Sequence, residues 1–381
     1  MSTGTKKFPR SLLPSIFIIK VVYLLVLIDI ERRFCFLNSI FASHKFSRVN
    51  YIGSKNKLNS FILENVKKVV GEDLSQKTFC DLFAGTGIVG RNFKGEVKKV
   101  ISNDLEYYSY VLNRNYIENH HPILNKDSFL ERLNQLSPIE GFIYTNYCVG
   151  ENAERQYFSN HNGKKIDAIR SQISKWNLDG KIDQPTYYFL LASLLESADK
   201  VANTASVYGA YLKKLKRSAQ KEIVLDPANF ELTGKEHEVY NEDSNILISK
   251  IEGDILYLDP PYNARQYGAN YHLLNTIALY DDFTPKGKTG LRDYNKSDYC
   301  SKIKVEEAFE ELIGKSRFKY IFLSYNNEGL MPVSQIKKIM QKYGRYELVS
   351  TAYQRFKADK TENRNHKFDK TTEYLHILEK Y

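Results

Sequence analysis

The run Asp259-Pro260-Pro261-Tyr262-Asn263 places a carboxylate, two prolines and an aromatic directly after an apolar stretch, a combination that packing seldom explains. Proline lacks a backbone N–H and has a fixed φ, so two in succession hold a rigid, extended turn. Such a turn leaves the Pro260 carbonyl able to accept a hydrogen bond and projects the Asp259 carboxylate beside it. Two acceptors suit the two hydrogens of a flat amino group. An aromatic amine such as adenine's is a poor nucleophile because its lone pair is delocalised into the ring. Holding both N–H bonds draws the nitrogen towards a tetrahedral, more nucleophilic geometry. Tyr262 is available to stack on the ring, a contact worth about 1–3 kcal/mol for a base, and a base held this way must first leave the duplex. The plainer alternative is a proline-rich turn with a capping aspartate.

A second constellation is Phe83-Ala84-Gly85-Thr86-Gly87-Ile88-Val89-Gly90. Glycines at a strand-to-helix corner let backbone N–H groups approach an anion at the helix N-terminus, here the carboxylate of an amino-acid moiety. A tight corner with no ligand would read the same way. Asp104, 19 residues after Gly85, ends the next apolar run. An acid at that place can accept hydrogen bonds from ribose hydroxyls, as in dinucleotide-binding folds; the alternative is a solvated turn aspartate.

The elements that must position these groups follow from periodicity. Apolar residues at 58, 61, 62, 66, 69 and 70 recur at helical spacing and predict an amphipathic helix over 58–70. Residues 78–83 and 97–102 read as strands, the first ending in the glycine-rich turn and the second at Asn103 and Asp104. Residues 254–259 read as a strand buried on both faces and stopped by the two prolines. A further strand is expected over 318–325 and a final strand pair over 346–353 and 373–378, with helices near 164–176 and 184–199.

In order and content these motifs resemble the Dam-like alpha group of DNA adenine N6-methyltransferases found in restriction-modification systems. The resemblance rests on Tyr51-Ile52-Gly53-Ser54-Lys55 as a leading cofactor loop, Asp81-Leu82-Phe83-Ala84-Gly85-Thr86-Gly87 as the glycine-rich motif, and Asp259 to Tyr262 as the catalytic motif. It implies S-adenosyl-L-methionine as cofactor, with Tyr51 and Lys55 flanking its methionine end and Phe83, Ala84 and Gly85 lining its pocket. Asp104 would hold the ribose. Asp243 stands where the family places an acid that bonds the cofactor's adenine, although Glu242 and Ser244 leave that choice open and solvated loop charge is the competing reading. Ser54 replaces a glycine that many members carry. The implied fold is a Rossmann-like α/β methyltransferase sheet with an inserted, mostly helical target-recognition domain. The implied partner is double-stranded DNA, with a cognate restriction endonuclease beyond it; no metal is needed.

Size and charge agree with this reading without establishing it. The chain of 381 residues is 42% hydrophobic and carries a net charge of +10, which suits an acidic partner. The methyltransferase domain is expected over 46–115 and 240–381 and the insert over 116–239. That insert holds 15 Lys and Arg against 16 Asp and Glu, so any DNA surface on it must be local. Tyr208, Tyr211, Lys213, Lys214, Lys216 and Arg217 form one aromatic and basic cluster, readable as a phosphate-gripping element or as a solvated helix face. Residues 267–279, with His272 and Asn275, and 324–327 are expected to border the pocket as loops, His272 being a packing histidine. Four dispersed cysteines at 35, 80, 148 and 300 signal neither a disulfide framework nor zinc, and fit the cytoplasm. The first 45 residues contain an apolar stretch from 12 to 30, open to three readings: a membrane segment, an added helix, or an extension unrelated to the working protein. A monomer or weak dimer is expected. The rival activities are methylation of RNA adenine or of cytosine N4, and nucleic-acid binding without catalysis.

Overall fold

Seven strands form one sheet: β1 (Thr78–Asp81), β2 (Lys99–Asn103), β3 (Glu238–Tyr240), β4 (Glu252–Leu258), β5 (Arg317–Asn326), β6 (Gly344–Gln354) and β7 (Lys370–Lys380). The computed structural model describes residues 55–149, 155–354 and 370–381; Tyr51, Ser54 and the apolar N-terminal stretch lie outside the described residues. The strand order is β3-β2-β1-β4-β5-β7-β6. Neighbours from β3 to β5 run parallel, and β7 is antiparallel to both β5 and β6. From β1 the chain builds outward in one direction through β2 and β3, then returns to the other side of β1 with β4 and β5. That reversal opens a crevice at the carboxyl ends of β1 and β4, where open α/β sheets bind ligands.

Alternation along the strands builds two cores. Phe79, Ile255, Tyr257 and Phe322 point to one face, where the helices Asn59–Val70 and Ile88–Lys94 add Ile62, Val66, Val89 and Phe93. Cys80, Leu256, Leu258, Ile321 and Leu323 point to the other, against the helices Val305–Lys315 and Val333–Met340. With both faces covered, each central strand reads as a continuous apolar run, and burial of such side chains contributes roughly 1.5–3 kcal/mol apiece.

A third core is helical. The helices Asn160–Leu178 and Gln184–Val201 pack with Tyr108, Val111 and Leu112 from Tyr107–Asn113 and with Leu273, Leu274 and Ile277 from His272–Leu279. The helical layer therefore draws on residues on both sides of 116–239. Residues 267–279, expected as loops at the pocket's border, are the helices Tyr267–Asn270 and His272–Leu279. Among the described residues no helix is long and apolar enough to cross a membrane.

Candidate active site

The crevice has a volume of about 510 Å³, and its lining includes Asp81, Phe83, Gly85, Asp104, Asp243 and Asp259. Each of these comes from the carboxyl end of a strand or the turn just beyond it. The glycine-rich turn depends on backbone that other residues adopt at a cost: φ is +53° at Gly85 and +73° at Gly87. A Cβ at Gly87 would also lie 2.5 Å from the Asn113 Oδ1.

The turn is held from outside its own motif. The Gly85 N–H donates to Asp104 Oδ2 at 2.8 Å, and the Asp104 Oδ1 accepts the Glu106 N–H at 2.9 Å. The Gly85 carbonyl accepts from Asn113 Nδ2 at 3.0 Å and from the Ser109 hydroxyl. Gly87 donates to the Ala84 carbonyl at 2.8 Å, and Gly90 to Asp81 Oδ2 at 3.1 Å. In this arrangement the three glycine N–H groups are engaged within the protein, and the glycines shape the loop.

Beyond β3, Asn103 accepts the Glu242 N–H at 3.0 Å and donates to the Glu242 carbonyl at 3.1 Å, which ties that turn to the crevice. Asp243 follows, exposed, its Oδ1 accepting the N–H groups of Asn245 and Ile246 at the start of a short helix. Phe83 meets Tyr299 edge-on with centroids 5.0 Å apart, forming an aromatic wall.

At the other end of the crevice Lys55 is buried, its Nζ 3.0 Å from Asp259 Oδ1 and 2.8 Å from Glu373 Oε1. Tyr262 has its ring centroid 6.0 Å from the same Nζ and packs edge-on against Tyr325. Pro260 is buried and Pro261 lines the crevice. Burial would lower the Lys55 pKa, but Asp259, Glu373 and Tyr257 together raise it well above the ordinary lysine value. Burial likewise pushes Asp259 up to about 6, against the pull of Lys55 and with the push of Glu373. Asp81 goes to about 8, chiefly through burial, because the Gly90 N–H only partly offsets that burial and the charges of Asp259 and Asp104. Glu106 rises to about 7 by burial and the neighbouring Asp104.

The family model for D12 class N6 adenine-specific DNA methyltransferases matches residues 51–339. The chain belongs to that family. M.NlaIII, a type II methyltransferase of Neisseria lactamica, is 66% identical over 332 residues, covering 87% of this chain and 99% of that protein. M.CviAII of Paramecium bursaria Chlorella virus 1 is 39% identical, covering 82% of this chain and 94% of the relative. M.FokI of Planomicrobium okeanokoites is also 39% identical, but this chain spans 50% of its length.

The methyltransferase uses S-adenosylmethionine, and the crevice fits it on its own evidence. An aromatic wall faces one part, acidic side chains that suit a sulfonium cation line the rest, and the buried Asp81 Oδ1 has no hydrogen-bond partner. Among the described residues no group of three or more His, Cys, Asp or Glu is placed to hold a metal ion.

Two expectations about the methyltransferase need correction. Tyr208 cannot face DNA: it is fully buried in the helical core, its hydroxyl donating to Asp199 Oδ1 at 2.8 Å. Lys216 is half-buried and tied through Nζ to the Thr204 carbonyl at 2.8 Å, which removes it from any free basic surface. Lys213, Lys214 and Arg217 are exposed on irregular backbone, and Tyr211 is half-buried against Tyr157. His272 is a packing residue, donating to or accepting from no crevice group but bonded through Nε2 to the Tyr208 carbonyl at 3.0 Å. Glu106, Asn113, Tyr299 and Glu373 escaped the reading of motifs. Glu106 stands two residues past Asp104 and was within reach of it; the others arrive through tertiary packing.

Proposed function

We propose that the enzyme methylates an adenine flipped out of duplex DNA, with Asp259 and the Pro260 carbonyl as paired acceptors for the target amine and Tyr262 as its stacking partner. The observation that carries this reading is the Asp259 carboxylate, half-buried just beyond the crevice end of β4 and ion-paired to Lys55. With its pKa near 6 it is ionised at neutral pH and accepts one N–H of the amine while the Pro260 carbonyl accepts the other. S-adenosylmethionine supplies a methyl group on an electrophilic sulfonium. Attack needs no prior deprotonation; as the N–C bond forms and the C–S bond breaks, the surplus N–H proton passes to Asp259 or water. Catalysis then rests on position and electrostatics. The engaged loop around Gly85 and the acids Asp104 and Asp243 hold the cofactor, and Lys213, Lys214 and Arg217 are the candidates for phosphate contact.

The relatives' names place them in type II modification, so we assign this enzyme the same setting, with an endonuclease that cuts the same site as its partner. The deciding experiment is transfer of labelled methyl to matched duplex DNA and RNA, followed by digestion to nucleosides, for wild type and Asp259→Ala. Labelled N6-methyladenine from DNA is expected. The variant should lose about 10²–10³-fold in kcat and keep its affinity for the cofactor. Wild-type turnover in Asp259→Ala, or label in RNA or in N4-methylcytosine, sinks the reading.

A further inference from the structure

Glu373 lies on β7, opposite Asn326 of β5 and Thr351 of β6, far in sequence from every motif that forms the crevice. Its side chain is 6% exposed, that of Lys55 7% and that of Asp259 19%. Burying an ionised carboxylate is costly unless it is paired. A single carboxylate already balances the Lys55 ammonium, so the second leaves the cluster with a surplus negative charge. What it alters is where the ammonium rests. With 2.8 Å to Glu373 and 3.0 Å to Asp259, the ammonium is shared and does not collapse onto Asp259.

We propose that Glu373 is a positioning residue for methyl transfer: it holds the Lys55 ammonium between two carboxylates, so that Asp259 keeps one orientation and an open lone pair for the target amine. The inference rests on the reading of Asp259 as an acceptor. The charged and titratable groups facing Asp259 are Lys55 from the turn before the first helix, Asp81 from β1, Tyr257 from its own strand, Tyr262 and Tyr267 from the segment after it, and Glu373 from β7. Of these, Glu373 raises the pKa of Asp259 and Lys55 lowers it. Removing the two partners must therefore displace the acid limb of kcat in opposite directions, which a purely structural role would not do.

The test is the pH dependence of kcat and KM on duplex DNA, with cofactor affinity by calorimetry, for Glu373→Gln, Lys55→Gln, their double variant and Asp259→Ala. Glu373→Gln should lower kcat about tenfold at neutral pH, leave KM and cofactor affinity unchanged, and move the acid limb to lower pH. Lys55→Gln should move it to higher pH, and the double variant should be no slower than Lys55→Gln, because Glu373 acts through Lys55. Wild-type kcat with an unmoved limb in Glu373→Gln overturns the proposal. So does a double variant slower than Lys55→Gln by the full tenfold, and this comparison stands even where Glu373→Gln alone fails to fold. Turnover in Asp259→Ala would instead sink the acceptor reading itself, whereas a dead Asp259→Ala beside an unaffected Glu373→Gln removes only the role of Glu373.

Discussion

Asp81, Asp104 and Asp259 line the crevice at the carboxyl ends of adjacent parallel strands, yet they are held in different ways. Asp81 accepts the Gly90 N–H from the helix after the glycine-rich turn, and Asp104 accepts the N–H groups of Gly85 in that turn and of Glu106 beyond β2. Asp259 meets an ammonium. Backbone amides fix a shape but bring no full charge, so burial prevails and Asp81 climbs to about 8, which leaves it protonated at neutral pH. Lys55 brings a full charge, and Asp259 stays near 6 and ionised. One sheet edge thus carries a cofactor end built for shape and a transfer end built for charge.

The strongest way to break this division is Asp104→Ala. It strips the acceptor from the Gly85 and Glu106 N–H groups at once. Hydrogen bonds to a charged group are worth about 1.5–3 kcal/mol, so cofactor affinity should fall about a hundredfold, read by calorimetry. At saturating cofactor, kcat should stay within a few-fold of wild type. A loss of kcat as deep as that of Asp259→Ala, with affinity intact, would erase the distinction between the two ends.

The two ends were unequally legible in the sequence. The strands that carry both motifs are buried on two faces, so residues 78–83 and 254–259 read as continuous apolar runs and were placed within a few residues of β1 and β4. β3, three half-buried residues at the sheet's edge, has no such signal. The helix Val305–Lys315 did carry one, with Val305, Ala308, Phe309 and Leu312 at helical spacing, and went unread. At the cofactor end, what the motif could not reveal was its bracing: Asn113 and Ser109 reach the turn from a later helix. At the transfer end, Glu373 reaches Lys55 because β7 inserts beside β5, and sheet order is not written in local pattern. Tyr208 erred the other way. An aromatic next to lysines reads as surface, and only the packing of Tyr157, Tyr271 and Asp199 around it makes it core.

A smaller effect sharpens the contrast through stability. A carboxyl with a pKa near 8 in the folded state and 3.8 as its ordinary value holds its proton more tightly when folded. Its contribution therefore favours the native state at low pH and is lost as pH rises from about 4 through 8. Asp81→Asn keeps an oxygen for the Gly90 N–H and has no proton to lose. Thermal melts of the cofactor-free protein should show wild type losing a few degrees relative to the variant between pH 5 and pH 8. Parallel pH curves would mean that Asp81 is not held neutral.

The finest test concerns bracing at the cofactor end. Asn113 donates to the Gly85 carbonyl at 3.0 Å and to the Ser109 carbonyl at 2.8 Å, and accepts from the Ser102 hydroxyl at 2.8 Å. Asn113→Ala removes all three bonds, but the Ser109 hydroxyl still meets the Gly85 carbonyl and Asp104 still meets its N–H. The turn therefore loosens without losing its form, and a net cost near 1 kcal/mol corresponds to about fivefold weaker cofactor binding. The same change empties the space that forbids a side chain at Gly87, where the nearest obstacle to a Cβ is the Asn113 amide. Gly87→Ala should accordingly be less harmful in the Asn113→Ala background than alone, with the remaining penalty set by its φ of +73°. Equal penalties in both backgrounds, measured as cofactor affinity, would show that backbone conformation alone demands the glycine and that Asn113 does not shape the turn.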